Sequence, residues 1–557
     1  MPVGKFEEGT EPMGISRRKF VKLAGSGLAA ARASALAQSP GSERPNVLFI
    51  ALDDLRPFLG CYGHSPAHTP HMDRLAARGM RFTRAYSLEA LCNPSRTAIM
   101  TGLRPDTTGV THNRVDFRET TPDALTLPQH FRNHGYLTTC VGKVYHGRYP
   151  DPRSWSHDPE PVGWSYRRPY HGYQLDENRE RVRRRYEKMK ERYSGPGAWG
   201  ASCGPPTEAA DVPDTGYRDG HIAEAAVATL RKIRNERFFL GVGFHLPHLP
   251  LTAPTKYWDL YDRSEIALAA NSELPENVPG VAWHPSFEFR ARMEVPKTGP
   301  IPDDLARRVK HAYLASASYV DAQVGKVLRE LDELGLRDNT IVVLWADHGF
   351  HLGEQGMWCK ATNFETALQV PLIVSTPDEM ARGQASNGLV ELIDMYPTLC
   401  DLAGLPVPGE VEGHSFAPLL RDPQAQWKRA IFGQFPCPAL REWAGLPLPE
   451  AMRKELLSDL MVETRERVGS GLPAEYDLDF CLEHLMGYTM RTNRYRFTRW
   501  VDSRAPQGKA LAVELYDHRT DPLETRNVAG GHPEVVRELT RMMQRGWRGA
   551  LPASRRG

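Results

Sequence analysis

The sequence predicts an α/β fold: a doubly wound, mostly parallel sheet flanked by helices, followed by a smaller C-terminal α+β subdomain containing an antiparallel sheet. Three observations predict it. Continuous apolar runs of strand length recur through the first two thirds of the chain, helical patterns lie between them, and shorter strand-like stretches follow near the C-terminus. Strands that alternate with helices build a parallel sheet covered on both faces.

The first run is Asn46–Leu52, NVLFIAL, which ends abruptly in Asp53-Asp54. Unbroken rather than alternating hydrophobicity suits a strand buried on both faces. Similar runs occupy 137–141, 238–244, 340–346 and 370–374. The clearest helix spans 302–334, where Leu305, Val309, Tyr313, Val320, Val324, Val327, Leu331 and Leu334 recur at threes, fours and sevens. Pro302-Asp303 is a reasonable start and Gly335 a reasonable stop. Residues 176–192 are dense in Arg, Glu and Lys and read as a solvated helix or insertion without chemistry. From 407 to 429 the pattern thins into Pro/Gly-rich loop. Residues 489–501 and 511–516 read as antiparallel strands, and 534–547 as a closing helix.

The chain has 557 residues, 41% hydrophobic and 25% charged, enough to bury a large core without staples. Its 70 basic and 68 acidic residues leave a net charge of +2, so no global field argues for nucleic acid and any anion must be caught locally. Eight dispersed cysteines form no CxxC pair, which excludes a zinc ribbon and a dithiol redox motif and leaves room for one or two disulfides at most. At the N-terminus, Ser16-Arg17-Arg18-Lys19-Phe20 precedes an apolar stretch and Ala35-Leu36-Ala37. This order is that of a twin-arginine export signal over residues 1–38, with Met13 an alternative start. The implied partner is the export machinery and the implied location a bacterial periplasm or exterior. No other run reaches 18 apolar residues, so no stable membrane insertion is expected.

In an open parallel sheet, ligands bind at the carboxyl ends of the strands. Here those ends carry Asp53-Asp54, Lys143 with His146, His245-Leu-Pro-His248, and Asp347-His348. An acidic pair after a strand is often only a helix cap, and a lone His more often structural than a ligand. Four such ends converging on one edge outweigh that reading.

The stretch Cys92-Asn-Pro94-Ser95-Arg96, followed by Thr101-Gly102, resembles the signature of the type I, formylglycine-dependent sulfatases of the alkaline-phosphatase superfamily. The resemblance extends over nearly the whole mature chain, to Glu514-Leu-Tyr-Asp-His-Arg-Thr-Asp-Pro-Leu-Glu524. Gly142-Lys143-Val-Tyr-His146, His245-Leu-Pro-His248-Leu-Pro250, and Asp347-His348-Gly-Phe-His-Leu-Gly-Glu354 with Trp358-Cys-Lys360 are similar to the iduronate-2-sulfatase-like branch. It implies a sulfatase domain over 44–429, a smaller subdomain over 430–557, and a sulfated sugar or polysaccharide as substrate.

The resemblance also implies that a maturation enzyme converts Cys92 to formylglycine. Its hydrate carries two hydroxyls on one carbon: one attacks sulfur, and loss of the other's proton expels sulfate. A helix over 96–100, starting right behind the nucleophile, would favour an anion there. Asp53, Asp54 and Asp347 offer hard oxygen donors suited to calcium or magnesium. The family implies one calcium, ligated also by residue 92 and by His348, although imidazole is an uncommon calcium ligand. Arg96 is expected to hold the hydrate and the carboxylates in place. Lys143 and Lys360 are expected on the sulfate oxygens, His146 to take the second hydroxyl's proton, and His248 to protonate the leaving alcohol, with His245 shaping the turn. Two alternatives remain at this level: a phosphate or phosphonate monoester hydrolase of the same superfamily, and a sulfated-glycan binding protein without catalysis.

Overall fold

The computed structural model describes residues 44–551 except 161, 164–167, 194–197, 199, 438–449 and 471–477. The export signal expected over 1–38 lies outside the described residues. Seven strands form the central sheet: β1 (Asn46–Leu52), β2 (Met80–Phe82), β3 (Leu137–Gly142), β4 (Phe238–Gly243), β5 (Thr340–Ala346), β6 (Leu372–Ser375) and β7 (Gln384–Ser386), in the order β7-β2-β6-β5-β1-β4-β3. β1 pairs in parallel with both β4 and β5, and β3 in parallel with β4. All residues of β1, β4 and β5 are buried, as their unbroken apolar runs require. Phe49 packs between Phe239 and Trp345, at ring-centroid distances of 5.6 and 5.1 Å.

One expected strand divides. Within 370–374, Gln369–Val370 pairs with Ala85–Tyr86 in a small separate sheet, and only β6 joins the central sheet, where it runs antiparallel to β5 and β2. Pro371 sits at the break and has no N–H to give to a ladder.

The flanking helices include α1 (Cys92–Thr101), α2 (Asp176–Lys190), α3 (Arg218–Ile233) and α4 (Asp303–Glu333). α4 runs 31 residues, about 46 Å at the α-helical rise, and buries the stripe read from its spacing. From it the Tyr313 hydroxyl donates to the Asp54 carbonyl at 2.7 Å and accepts from the Arg56 amide at 2.9 Å, so the longest helix clamps the loop that leaves β1. α2 is the solvated helix its composition suggested, burying only Val182, Tyr186 and Met189.

The C-terminal region carries a four-stranded antiparallel meander, β8 (Ala430–Pro436), β9 (Leu485–Thr492), β10 (Tyr495–Asp502) and β11 (Ala512–Asp517), in sequence order. The stretch 489–501 thus spans two strands that turn at Asn493-Arg494. The closing helix α5 (Pro533–Gln544) packs Leu539 against Met490, Phe497 and Leu515, and a further short helix follows at Gly546–Ala550, past Gly546 in the left-handed region. All eight cysteines are free thiols. No described helix is long and apolar enough to cross a membrane.

Candidate active site

The adjacent parallel strands β5, β1, β4 and β3 end on one edge, in register Leu52↔Ala346, Ala51↔Gly243 and Gly142↔Gly243. That edge brings together Asp53-Asp54, Asp347-His348, His245 to His248, and Lys143. Asp54 holds a left-handed φ of 64°, which a short polar side chain tolerates, and its amide donates to Asp347 Oδ1 at 3.1 Å. Gly142 (φ 76°) is required before Lys143: a Cβ there would lie 2.2 Å from the Gly243 carbonyl oxygen.

α1 begins at Cys92 itself, not at residue 96 behind it, so the cysteine occupies the first helical turn. Pro94 fits there because an early helical position needs no N–H partner. Cys92 is 2% exposed, and its Sγ lies 3.4 Å from both Asp53 Oδ1 and His348 Nε2. Two adjacent residues tie α1 to the strand ends. The Ser95 hydroxyl donates to the Asp347 carbonyl, and the fully buried Arg96 donates to Asp347 Oδ2 at 2.8 Å, to Asp53 Oδ1 at 3.3 Å, and to the carbonyls of Lys143 and Val144. One guanidinium thereby fixes β1, β3 and β5 relative to the cysteine helix.

The Lys143 ammonium pairs with Asp53 Oδ2. Lys360 donates to both oxygens of Asp54, at 3.0 and 2.8 Å, and lies 3.0 Å from Glu288 Oε2. The residues on either side of it, Cys359 and Ala361, both have positive φ, which aims the lysine inward. His248 Nε2 is 3.2 Å from Glu288 Oε1 and its Nδ1 is 2.7 Å from the Leu249 carbonyl. His245 Nδ1 faces Asp53 Oδ2 at 3.7 Å, and His348 Nε2 faces Asp54 Oδ1 at 3.4 Å. His146 lies on the loop after Lys143, its Nδ1 buried without a hydrogen-bond partner.

Burial drives Asp53 upward, but Lys143, His248 and Arg96 overcome it and hold the carboxyl well below the usual range. Asp54 goes the other way: burial, aided by Asp53, Glu288 and Asp347, pushes it well above that range against Lys360. The Cys92 thiol is pushed up by burial and by Asp53. His146 falls to about 3 through burial and the Lys143 charge, which leaves it a neutral proton acceptor at ordinary pH. Burial and Lys360 press His248 toward the neutral ring as well, but its contacts ask for the imidazolium: Nδ1 must donate to the Leu249 carbonyl, so Nε2 has a proton to offer Glu288 only in the charged form.

Ligand atoms of Asp53, Asp54, Cys92 and His348 all lie within 4.8 Å of one another. Asp347 lies beside this group, its Oδ1 3.7 Å from His348 Nε2 and its carboxylate bonded to Arg96 and to the amides of Asp54 and His348. Several buried carboxylates at one point need a cation, and mostly oxygen donors suit a hard divalent ion, so the residues fit one.

Sequence reasoning missed Glu288. It projects from a one-turn helix, Phe287–Arg290, in a loop-rich segment with no strand before it, so neither periodicity nor position at a strand end marks it. His245, read as a turn-shaping residue, also faces the cluster.

Comparison with known proteins agrees with this geometry. The family profile for sulfatases matches residues 45–405. The chain is 34% identical to the iduronate 2-sulfatase of Mus musculus over 89% of its own length and 92% of that protein's. It is also 34% identical to that of Homo sapiens, over 87% and 90%. Among solved structures, the phosphonate monoester hydrolase of Silicibacter pomeroyi superimposes with a TM-score of 0.66 at 23% identity, covering 92% of this chain and 96% of the other, which establishes the shared fold. A strand-end cluster around a cysteine helix, inside a fold and a sequence of this kind, makes the chain a member of the sulfatase family, an enzyme that hydrolyses sulfate esters of sugars.

Proposed function

We propose that the protein is an exported sulfuric ester hydrolase that removes sulfate from a sulfated saccharide, with formylglycine at position 92 as nucleophile and one divalent cation, calcium, beside it. The observation that carries the reading is the placement of Cys92 Sγ at 3.4 Å from both Asp53 and His348, inside a buried carboxylate cluster that also recruits two lysines and an arginine. A bare buried thiol has no use for such surroundings.

Asp53, Asp54, Asp347, His348 and residue 92 would hold the cation, which when bound polarises the sulfate and lowers the pKa of the attacking hydroxyl. Arg96 keeps the strand ends and the nucleophile's helix in register. One hydroxyl of the hydrated aldehyde, its proton lost to solvent, attacks sulfur as the alkoxide and the S–O bond to the sugar breaks, the departing oxygen taking a proton from His248. Residue 92 then carries the sulfate, whose negative charge Lys143 and Lys360 offset. His146 removes the proton of the remaining hydroxyl, the aldehyde re-forms as its C–O bond to sulfate breaks, and water restores the hydrate. The twin-arginine signal, a maturation enzyme acting on Cys92 before export, and the division into 44–429 and 430–557 belong to the same reading.

The test is mass spectrometry of the peptide containing residue 92 from protein produced alongside a formylglycine-generating enzyme. A mass about 18 Da below cysteine supports the nucleophile assignment, and a fully active protein with an intact thiol ends it. The likeness in fold to a phosphonate monoester hydrolase favours a second reading, in which a phosphonate ester is the better substrate. Relative kcat/KM on aryl sulfate and aryl phosphonate decides between them.

A further inference from the structure

Glu288 stands on the two groups assigned above to the sulfate and its leaving oxygen: Oε2 lies 3.0 Å from Lys360 Nζ, and Oε1 lies 3.2 Å from His248 Nε2. Its backbone is held by its aromatic neighbours. Phe287 and Phe289 anchor the one-turn helix on either side, fully buried, with Phe289 stacked on Trp358 at 4.8 Å. The Glu288 side chain is 12% exposed, so it retains an edge toward solvent. Asp53, Asp54 and Asp347 face Arg96, Lys143 and Lys360, and Glu288 is a fourth carboxylate whose partners are the groups an incoming anion would use.

We propose that the Glu288 carboxylate is a built-in competitor for the sulfate: it occupies Lys360 and His248 in the resting enzyme, yields them to the substrate, and returns to hasten release of inorganic sulfate. The inference rests on the assignment of Lys360 and His248 to the sulfate. A carboxylate and a sulfate oxygen satisfy the same ammonium and imidazole N–H donors, and both cannot have them at once. The resident anion thus trades ground-state affinity for turnover, because binding that is equal in substrate and product does not accelerate the reaction.

The experiment uses the mature, full-length enzyme and inorganic sulfate as probe. In Glu288→Gln, sulfate should bind roughly tenfold tighter, the loss of one charge-assisted competitor, read both as a lower inhibition constant against aryl sulfate turnover and as stronger sulfate protection in thermal melts. KM should fall in parallel while kcat does not rise. Glu288→Asp, one methylene shorter with the charge kept, should fall between Glu288→Gln and wild type, and serves alone if the Gln variant does not fold. Unchanged or weaker sulfate binding in a variant that melts like wild type overturns the proposal. Lys360→Ala separates the two levels: if sulfate protection survives there, the sulfate assignment itself fails, whereas protection lost there but unchanged in Glu288→Gln removes only the competitor.

Discussion

Two lysines in this molecule have nearly the same surroundings and opposite meanings. Lys360 and Lys428 are each 3% exposed, and each sits between two carboxylates: Asp54 and Glu288 for the first, Glu391 and Asp394 for the second. Around Lys428 the acids are saturated. Glu391 also takes both its oxygens to Arg104 at 2.9 Å and accepts from the Phe432 amide, while Asp394 accepts from the amides of Glu391 and His414. Around Lys360 they are not. Asp54 sits in a left-handed backbone at a strand end, and among the described residues Glu288 Oε2 accepts no hydrogen bond and the neighbouring His146 and His245 each leave a buried nitrogen unpartnered. Burial of charge therefore does not mark a functional site by itself. Incompletely satisfied acids at converging strand ends do: the Lys428 network saturates its carboxylates even though Arg104 Nε is left without a partner, whereas the Lys360 cluster keeps carboxylate and imidazole capacity for a visitor.

The contrast can be broken by mutation, beginning with the largest effect. Cys92→Ala should cut turnover of any sulfate ester by about 10⁴-fold or more while leaving the thermal midpoint close to wild type; a midpoint collapse would make Cys92 part of the scaffold. Lys428→Met should cost about 3–5 kcal/mol in denaturant unfolding, since two buried carboxylates lose their cation, with activity per folded molecule retained. Lys360→Met should do the reverse, lowering kcat/KM by about 10²–10³-fold with a clearly smaller loss of stability. If the two variants lose stability equally, the distinction between closed and open networks fails. His248→Ala should lower rates on sugar sulfates by about 10²-fold and far less on an aryl sulfate with a good leaving group; equal loss on both removes the acid role.

The smallest effect concerns pH. Burial opposes ionisation of Glu391, but Arg104 and Lys428 bring it down to about 2 from its ordinary 4.5. A carboxyl depressed on folding contributes stability that is present above pH 4.5 and lost as pH falls toward 2. Glu391→Gln should therefore flatten the acid limb of the stability curve between those values, followed by urea melts at stepped pH. A limb as steep as wild type would mean that the Lys428 network does not set it.

Much of this was legible in the sequence because the chemistry is attached to the strongest structural signal. Strands buried on both faces read as unbroken apolar runs, and Asp53, Asp54, Asp347 and His348 follow such runs directly, so finding the strand locates the residue. The Cys92 to Arg96 signature supplied the rest. What was not legible lacked local contrast. Pro371 splits a run that composition shows as continuous, sending its halves to different sheets. Pro94 reads as a turn former, although early in a helix it costs nothing, and so α1 starts four residues sooner than expected. The hairpin at Asn493-Arg494 has no glycine to announce it. Glu288 reaches the cluster only through packing of its aromatic neighbours, and no pattern in the chain carries that information.

The enclosure of Cys92 sets a deadline. Its sulfur lies beneath contacts from residues as far along the chain as His348, and almost none of it meets solvent. Under the maturation proposed above, a modifying enzyme's active centre would reach that atom only while the segment is still extended, before the distant half of the polypeptide arrives. Synthesis and collapse thus race against chemical conversion. On that proposal, a molecule that folds with its thiol intact would stay inert, and the yield of working enzyme would be decided during biogenesis and not by later treatment of the finished protein.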